Sequence, residues 1–299
     1  MTKQLKGILL TIVGASLWGL SGVCSQYLFQ IKEIPTAWLI SVRLSLAGLL
    51  FLLASLANSD KRAMIHRIFS SKATLFEMLI YAIFGLLLGQ LTYFFAIQYS
   101  NASTATVLQY TSPILIMLYA SVRDKKLPKM TDILSLAIVM AGVFALATHG
   151  NIHSLSISLI ALILGLSASF TMMLYSVLPE HLMGEFGTLP VLSVAMPFCG
   201  FLMVLYIRPL SNITGIWDIK TFLVLATIIL IGTFLSFYCY LSGLNMIGSS
   251  KASICTAAEP VMSTILTVTI MHAAFGFMDL LGLLLIVGGV LFLTITSKQ

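Results

Sequence analysis

The chain is predicted to be an all-α integral membrane protein of ten transmembrane helices, arranged as two inverted five-helix repeats. Three observations predict it. Of its 299 residues, 59% are hydrophobic and only 9% charged, where soluble domains carry about 25% charged residues. The charges are also clustered, with none between Gly7 and Ile31, Met78 and Val122, Ile133 and Pro179, Phe186 and Ile207, or Thr221 and Ser250. A spanning helix needs roughly 20 apolar residues, so the longer of these tracts hold two spans each. Third, the two halves resemble each other at a nearly fixed offset, and each holds an odd number of spans.

The spans follow from breaks at Gly, Pro, Asn and charged clusters. They are expected at 7–29, 36–57, 77–99, 103–122, 131–149, 155–178, 187–207, 221–243, 250–272 and 278–296. Lys3 and Lys6 before an apolar run resemble the start of a signal peptide. That run is longer than a typical h-region and lacks an A-x-A-like site, so it reads as a retained first span. Short connections such as Ser100-Asn101-Ala102 imply antiparallel neighbours.

An even number of spans places both termini on one side. With the N-terminus inside, twelve basic residues are cytoplasmic: Lys3, Lys6, Lys61, Arg62, Arg67, Lys72, Arg123, Lys125, Lys126, Lys129, Lys251 and Lys298. Three are outside (Lys32, Arg208 and Lys220), and Arg43 lies within a span. Basic loops resist translocation, so both termini are expected in the cytoplasm of a multi-pass cytoplasmic-membrane protein. The net charge of +6 thus belongs to membrane topology and implies no nucleic acid. The loop holding Glu180, His181 and Glu185 adds nothing to this bias.

Cys24, Cys199, Cys239 and Cys255 fall in separate apolar stretches without a CxxC. They read as small buried residues, and neither a metal nor a cofactor is expected. His66, His149, His153, His181 and His272 read as loop or span-end residues.

A shift of 147 places Gly85 on Gly232, Tyr93 on Tyr240, Ala105 on Ala252, Pro113 on Pro260, Asp132 on Asp279 and Gly142 on Gly289. A shift of 152 places Ser41, Val42 and Gly48 on Ser193, Val194 and Gly200. The repeats are expected to occupy residues 1–150 and 151–299. Five spans per half force the second half to be inverted. Inverted repeats are typical of secondary transporters, with the site near the midplane between them.

Several stretches resemble a known family. They are Trp18 to Val23 (WGLSGV), Ser41 to Ala47 (SVRLSLA), Ala102 to Pro113 (ASTATVLQYTSP), Ser250 to Pro260 (SKASICTAAEP) and the Gly-rich run from Gly282 to Val290. Their order and spacing resemble the EamA-type branch of the drug/metabolite transporter superfamily, with two EamA repeats covering nearly the whole chain. The resemblance implies transport of a small organic solute, such as an amino acid or related metabolite, outward across the membrane. One departure stands out. Where family members often carry Leu-Gly-Glu after the fourth and ninth spans, this chain reads Ser121-Val122-Arg123-Asp124 and Met271-His272-Ala273-Ala274.

Two charges fall inside the spans without a symmetry mate: Glu259 aligns with Ser112, and Arg43 with Ala195. A charge at a helix centre costs roughly 2.5–3.5 kcal/mol on insertion scales. Such residues face a cavity, pair with one another or mark a transport path. Arg43 could instead satisfy backbone carbonyls or lock two helices. Glu259 could be a protonated carboxyl donating to a carbonyl freed at the Pro260 kink, or a titrating group that holds a proton or an amine. Gln109 and Ser112 precede Pro113 as Thr256 and Glu259 precede Pro260, and paired proline breaks point to a transporter site. Trp18, Gln90, Tyr93 and Tyr240 complete the expected solute-binding set. The stripe Gly85, Gly89, Tyr93 and its echo Gly232, Ser236, Tyr240 reads chiefly as close helix packing.

Enzyme chemistry has little support, since deep in the spans the chain holds one acidic and one basic side chain where catalysis needs paired carboxylates, a nucleophile with its base, or metal ligands. A Walker motif is absent, so ATP is not the direct energy source. Expected partners are the lipid bilayer, a small solute and protons. Two other readings stay open: a multidrug or organic-cation proton antiporter using Glu259, and a membrane scaffold or lipid-handling subunit.

Overall fold

A computed structural model describes residues 2–99, 102–148, 151, 158–209, 213–271 and 276–296. His149, His153, His272 and most of the Met271 to Ala274 departure lie outside the described residues. The helices are α1 (Lys3–Gln30), α2 (Thr36–Leu56), α3 (Ser59–Ser70), α4 (Lys72–Tyr99), α5 (Ala102–Gln109), α6 (Ser112–Asp124) and α7 (Met130–Thr148). The second half supplies α8 (Leu159–Phe186), α9 (Thr188–Ile207), α10 (Ile219–Ile247), α11 (Ser249–Cys255), α12 (Ala258–Met271) and α13 (Phe277–Thr296). Seven of these, α1, α2, α4, α8, α9, α10 and α13, are long and apolar enough to cross a membrane. The chain is an α-helical membrane protein.

Two segments expected as loops are helical. In α3, Asn58 caps the N-terminus by accepting from the amides of Asp60 and Lys61, and Ile65 and Ile68 are buried one turn apart. Period and cap together make this basic segment a surface helix, not a loop. The segment with Glu180 and Glu185 continues α8 as a further short helix, Pro179–Phe186, in which Pro179 occupies the first turn, where its missing donor is harmless.

Both α4 and α10 loosen to a π-helical turn, over Tyr81–Leu87 and Leu230–Leu235. These segments nearly coincide under the 147-residue shift. In α10 the Thr233 hydroxyl donates to the Ile228 carbonyl five residues back, at 2.8 Å, which supports the wider turn.

Packing is dominated by α2 on α9, α7 on α13, α1 on α10 and α12, and α8 on α4, α5 and α6. The tight seams run through glycine. A Cβ at Gly48 would lie 2.6 Å from the Pro197 nitrogen, and one at Gly200 would lie 2.7 Å from the Ser45 Cα. Gly142 and Gly282 likewise face each other's carbonyls at 2.8 Å between α7 and α13. Beside the α2–α9 seam, the Ser193 hydroxyl is 2.5 Å from that of Ser55 and donates to the Phe51 carbonyl at 2.8 Å.

Ion pairs join the loops at both ends. At the end carrying the basic loops, Arg67 meets Glu185 at 3.1 Å, His181 meets Glu77 at 3.2 Å, and Arg123 meets Glu180. Glu180 also accepts from the Ser249 amide at 2.9 Å. At the opposite end, Lys32 meets Asp218 at 2.6 Å, and the Trp38 indole donates to the Pro209 carbonyl at 2.9 Å.

The Lys32 hydrogen bond, with the Thr221 amide, holds the Asp218 carboxyl well below the usual carboxylate range. The same bond raises Lys32 above its ordinary value. A depressed carboxyl stabilises above its unfolded value of about 3.9, and that contribution is lost as pH falls through the folded value. The raised lysine contributes below about 10.4 and loses its contribution as pH rises through its own folded value. Asp218→Asn is therefore expected to lower Tm at pH 7, and the gap from wild type should close as both proteins are acidified. Thermal unfolding of the purified pair across pH checks this; a gap that ignores pH would assign the loss to packing.

Candidate functional site

The site lies where two broken helices cross. α5 stops at Gln109 and α6 starts at Ser112, while α11 stops at Cys255 and α12 starts at Ala258. Proline lacks an amide hydrogen and its ring excludes the carbonyl four residues earlier from the helical ladder. Those carbonyls belong to Gln109 and Thr256, so each break falls where its proline requires. Both Pro113 and Pro260 are buried.

The freed Thr256 carbonyl accepts from the Glu259 amide at 2.9 Å and from the Tyr110 hydroxyl at 2.6 Å. Tyr110 sits in the break of the other half, so one phenol ties the two breaks together. Glu259 stands in the first turn of α12 and is half-buried. Its carboxylate has neither a hydrogen bond nor an ion pair to any described residue. Tyr93 and Tyr110 lie within electrostatic reach of it, and the Tyr93 hydroxyl is 3.2 Å from that of Thr106. Behind it runs α1, where a Cβ at Gly19 would lie 2.5 Å from the Glu259 carbonyl.

Toward the basic end an aromatic layer closes the middle of the bundle. The Trp18 ring lies 4.7 Å from Tyr240 and 5.3 Å from Phe237. Tyr175 stacks on Tyr240 at 5.9 Å and on Tyr81 at 6.1 Å. The Tyr240 hydroxyl has Ser176 at 3.0 Å, whereas the buried Trp18 indole nitrogen and Tyr81 and Tyr175 hydroxyls find no partner among the described residues.

Arg43 is 4% exposed and lies over the Phe94 ring at 5.5 Å. Its guanidinium pairs with no described carboxylate and bonds to no described carbonyl, and its Nε is enclosed without a partner. The pairing considered for Arg43 and Glu259 is thus absent here. Arg43 meets α4 at Phe94 and Glu259 comes near it at Tyr93, so the two charges approach neighbouring side chains of one helix. Gln90, one turn before Phe94, has its Oε1 buried without a partner.

Of the residues predicted from sequence, the structure gathers Tyr93, Thr256 and Glu259 around Tyr110. Gln109 and Ser112 flank the first break, Trp18 and Tyr240 form the separate aromatic layer, and Gln90 lies on α4 one turn before Phe94. Tyr110, Thr106, Phe94 and Tyr175 carry contacts that the sequence reading assigned to none of them. For Tyr110 a signal existed: it immediately precedes Thr111-Ser112-Pro113. Its mate under the shift is Ala257, however, so repeat comparison passes over it.

The small-residue stripe packs closely at Gly85 and Gly232 but only loosely at Gly89, where an added Cβ would lie 3.8 Å from the Thr171 hydroxyl. A Cβ at Gly85 would lie 3.0 Å from the Tyr175 Cα, and one at Gly232 would overlap Ser21. Two open clefts, about 470 and 510 Å³, lie along the outer faces of α4 and α8, lined by residues such as Phe95, Tyr99, Phe84 and Phe170. Neither contains a predicted site residue.

The profile of the EamA-like transporter family matches residues 5–148 and again residues 159–295. The chain belongs to the EamA-like transporter family. It is similar to the uncharacterized inner membrane transporter YicL of Salmonella typhimurium, 35% identical over 302 residues, covering 100% of this chain and 98% of that protein. It is also similar to the uncharacterized transporter YcbK of Bacillus subtilis, 22% identical over 303 residues, covering 98% and 92%. A solved structure described as a crystal structure of protein superposes with a TM-score of 0.79 at 17% identity, covering 98% of this chain and 99% of that one; it supports the fold. By family this EamA-like protein is a membrane transporter. Among the described residues its half-buried Glu259 carboxyl has no counter-ion and lies within electrostatic reach of the Tyr93 and Tyr110 phenols.

Proposed function

We propose that the protein is a ten-helix secondary transporter of the inner membrane, exporting a small organic solute, an amino acid or related metabolite, by alternating access. Seven spans are complete helices, and α5 with α6, α7, and α11 with α12 make the other three. The repeats are residues 1–150 and 151–299, inverted with respect to each other. What supports the inversion is the packing. Exchanging the halves turns α1 on α10 into α8 on α4, turns α1 on α12 into α8 on α6, and returns α2 on α9 and α7 on α13 to themselves.

One contact breaks this symmetry, and it carries the proposal. At the basic end α6 packs on α11, whereas among the described residues the exchanged pair at the far end, α5 and α12, makes no comparable contact. The helices that hold the two breaks therefore touch on one side of Glu259 and part on the other. With the basic end cytoplasmic, this is an outward-open arrangement: Tyr175 and Tyr240 close the inner half, while Glu259, Tyr93 and Tyr110 lie at the base of the parting. Trp18, Gln90, Gln109, Ser112 and Thr256 line the path, and Glu259 carries the coupling proton. The placement of Tyr93 and Tyr110 around a lone carboxylate also suits an organic cation, which keeps a cation–proton antiporter as the second reading.

Counterflow in proteoliposomes tests transport: a labelled solute should accumulate transiently against excess unlabelled solute inside, and a protein that never exchanges any amino acid, amine or cationic dye would overturn the proposal. For topology, a cysteine at exposed Ser59 should stay protected from impermeant thiol reagents in intact cells and one at exposed Asn151 should react. The reverse labelling would overturn the orientation.

A further inference from the structure

Arg43 is the buried cation that proton coupling does not use. An arginine carries five N–H donors and stays charged, and in hydrocarbon each unsatisfied polar group costs several kcal/mol. Such a residue normally pairs with a carboxylate or with backbone carbonyls. Here, among the described residues, it has neither, although it is 4% exposed. Its single organised contact is the Phe94 ring at 5.5 Å, and a cation held against an aromatic face keeps the N–H edges of the guanidinium free for an anion.

The neighbouring helix supplies the rest of a site. Gln90, Tyr93 and Phe94 are at i, i+3 and i+4 of α4, so they share one face. Phe94 packs under Arg43 and Tyr93 lies beside Glu259, while the free Gln90 Oε1 is an acceptor and offers nothing to an anion. Phe29 of α1 meets Phe94 edge-on at 6.1 Å and adds an apolar wall. One half of the chain thus presents an unpaired cation, the other an unpaired carboxyl, and a single α4 face runs between them.

We propose that Arg43, held against Phe94, is the oxyanion subsite of the transport path, and that it selects solutes bearing a carboxylate. This rests on the transporter reading and deepens it. The planar guanidinium fork fits a carboxylate in two parallel hydrogen bonds, and the solute's charge supplies the counter-ion that the protein withholds. A carboxamide or a decarboxylated amine leaves Arg43 unpaired and is disfavoured.

The probes are matched triads across the standard side chains: an α-amino acid, its carboxamide and the amine lacking the carboxyl. Binding is measured to the purified transporter in nanodiscs of zwitterionic lipid. Hydrogen bonds to charged groups contribute about 1.5–3 kcal/mol, so wild type should prefer at least one acid to its amide by roughly 10–100-fold. Arg43→Gln should bring acid and amide within about threefold, chiefly by weakening the acid, and Arg43→Lys should keep part of the preference. Phenylglyoxal labelling of wild-type Arg43, read by mass spectrometry, needs no variant; the acid should protect and the amide should not. Equal loss of acid and amide in Arg43→Gln, or protection by added anionic lipid but not by the acid, overturns the subsite. Binding of amides or amines without any acid overturns it too and leaves the transporter reading standing. Failure of every probe to bind or to exchange overturns both.

Discussion

Glu259→Gln is expected to leave the protein folded and inserted while abolishing the pH dependence of its transport. Glutamine keeps the size and hydrogen-bonding edge of the side chain and removes its titration. Nothing among the described residues depends on the charge, since the carboxylate has no partner there. A buried acid within a span carries an insertion cost of roughly 2.5–3.5 kcal/mol, so its neutral replacement should hold or raise Tm. Transport driven by a proton gradient should fall at least about tenfold, the scale of losing one charge-assisted hydrogen bond. Solute counterflow without a gradient should lose its slope with pH. Both are measured in proteoliposomes of matched protein content. Unchanged transport with unchanged pH dependence would remove Glu259 from the mechanism.

The rival role, a protonated carboxyl bracing the Pro260 kink, requires a carbonyl in need of a donor. That carbonyl is Thr256, and it already accepts from the Tyr110 hydroxyl at 2.6 Å and the Glu259 amide at 2.9 Å. The bracing is done by a residue of the opposite repeat. Loss of folded protein in Glu259→Gln would revive the rival; loss of folded protein in Tyr110→Phe is what the observed geometry favours.

How far this was readable from residues differs between elements. The breaks at Pro113 and Pro260 were legible because proline acts through local chemistry, the same in any tertiary setting. The glycine seams were only half legible: the repeat matches Gly48 with Gly200 and Gly142 with Gly289, but it does not say which residues meet, and Gly142 faces Gly282. Tyr110 was not, since its contact joins positions 146 residues apart in a register that the repeat does not preserve. The environment of Arg43 was also hidden: a sequence shows a lone charge, and only Phe94 in place of a carboxylate distinguishes a waiting site from an ion pair. The helical nature of Ser59–Ser70 was masked by its basic composition, which signals topology more loudly than it signals period.

The second large effect concerns the α2–α9 seam. Gly48→Ala and Gly200→Ala should each destabilise strongly, although both replace glycine by a better helix former. A Cβ at Gly48 would stand 2.6 Å from the Pro197 nitrogen and 2.8 Å from its Cα, and one at Gly200 would stand 2.7 Å from both the Cα and the nitrogen of Ser45. These obstacles are backbone, so no rotamer change relieves them and the helices must separate. Overpacking costs typically about 1–3 kcal/mol, and separation would also stretch the Ser193 bond to Phe51 alongside. Gly288→Ala is the control, because nothing lies within 4 Å of its added Cβ; there the helix preference alone acts, at about 0.5–1 kcal/mol in favour. Thermal unfolding of the purified variants should therefore separate them by sign, with Gly48→Ala and Gly200→Ala below wild type and Gly288→Ala at or above it. Because the two seam glycines meet the same pair of backbones from opposite sides, the double variant should lose less than the sum of the singles, the first substitution having already opened the space the second one needs. Full additivity would mean that α2 and α9 yield independently at the two contacts and do not move as rigid neighbours.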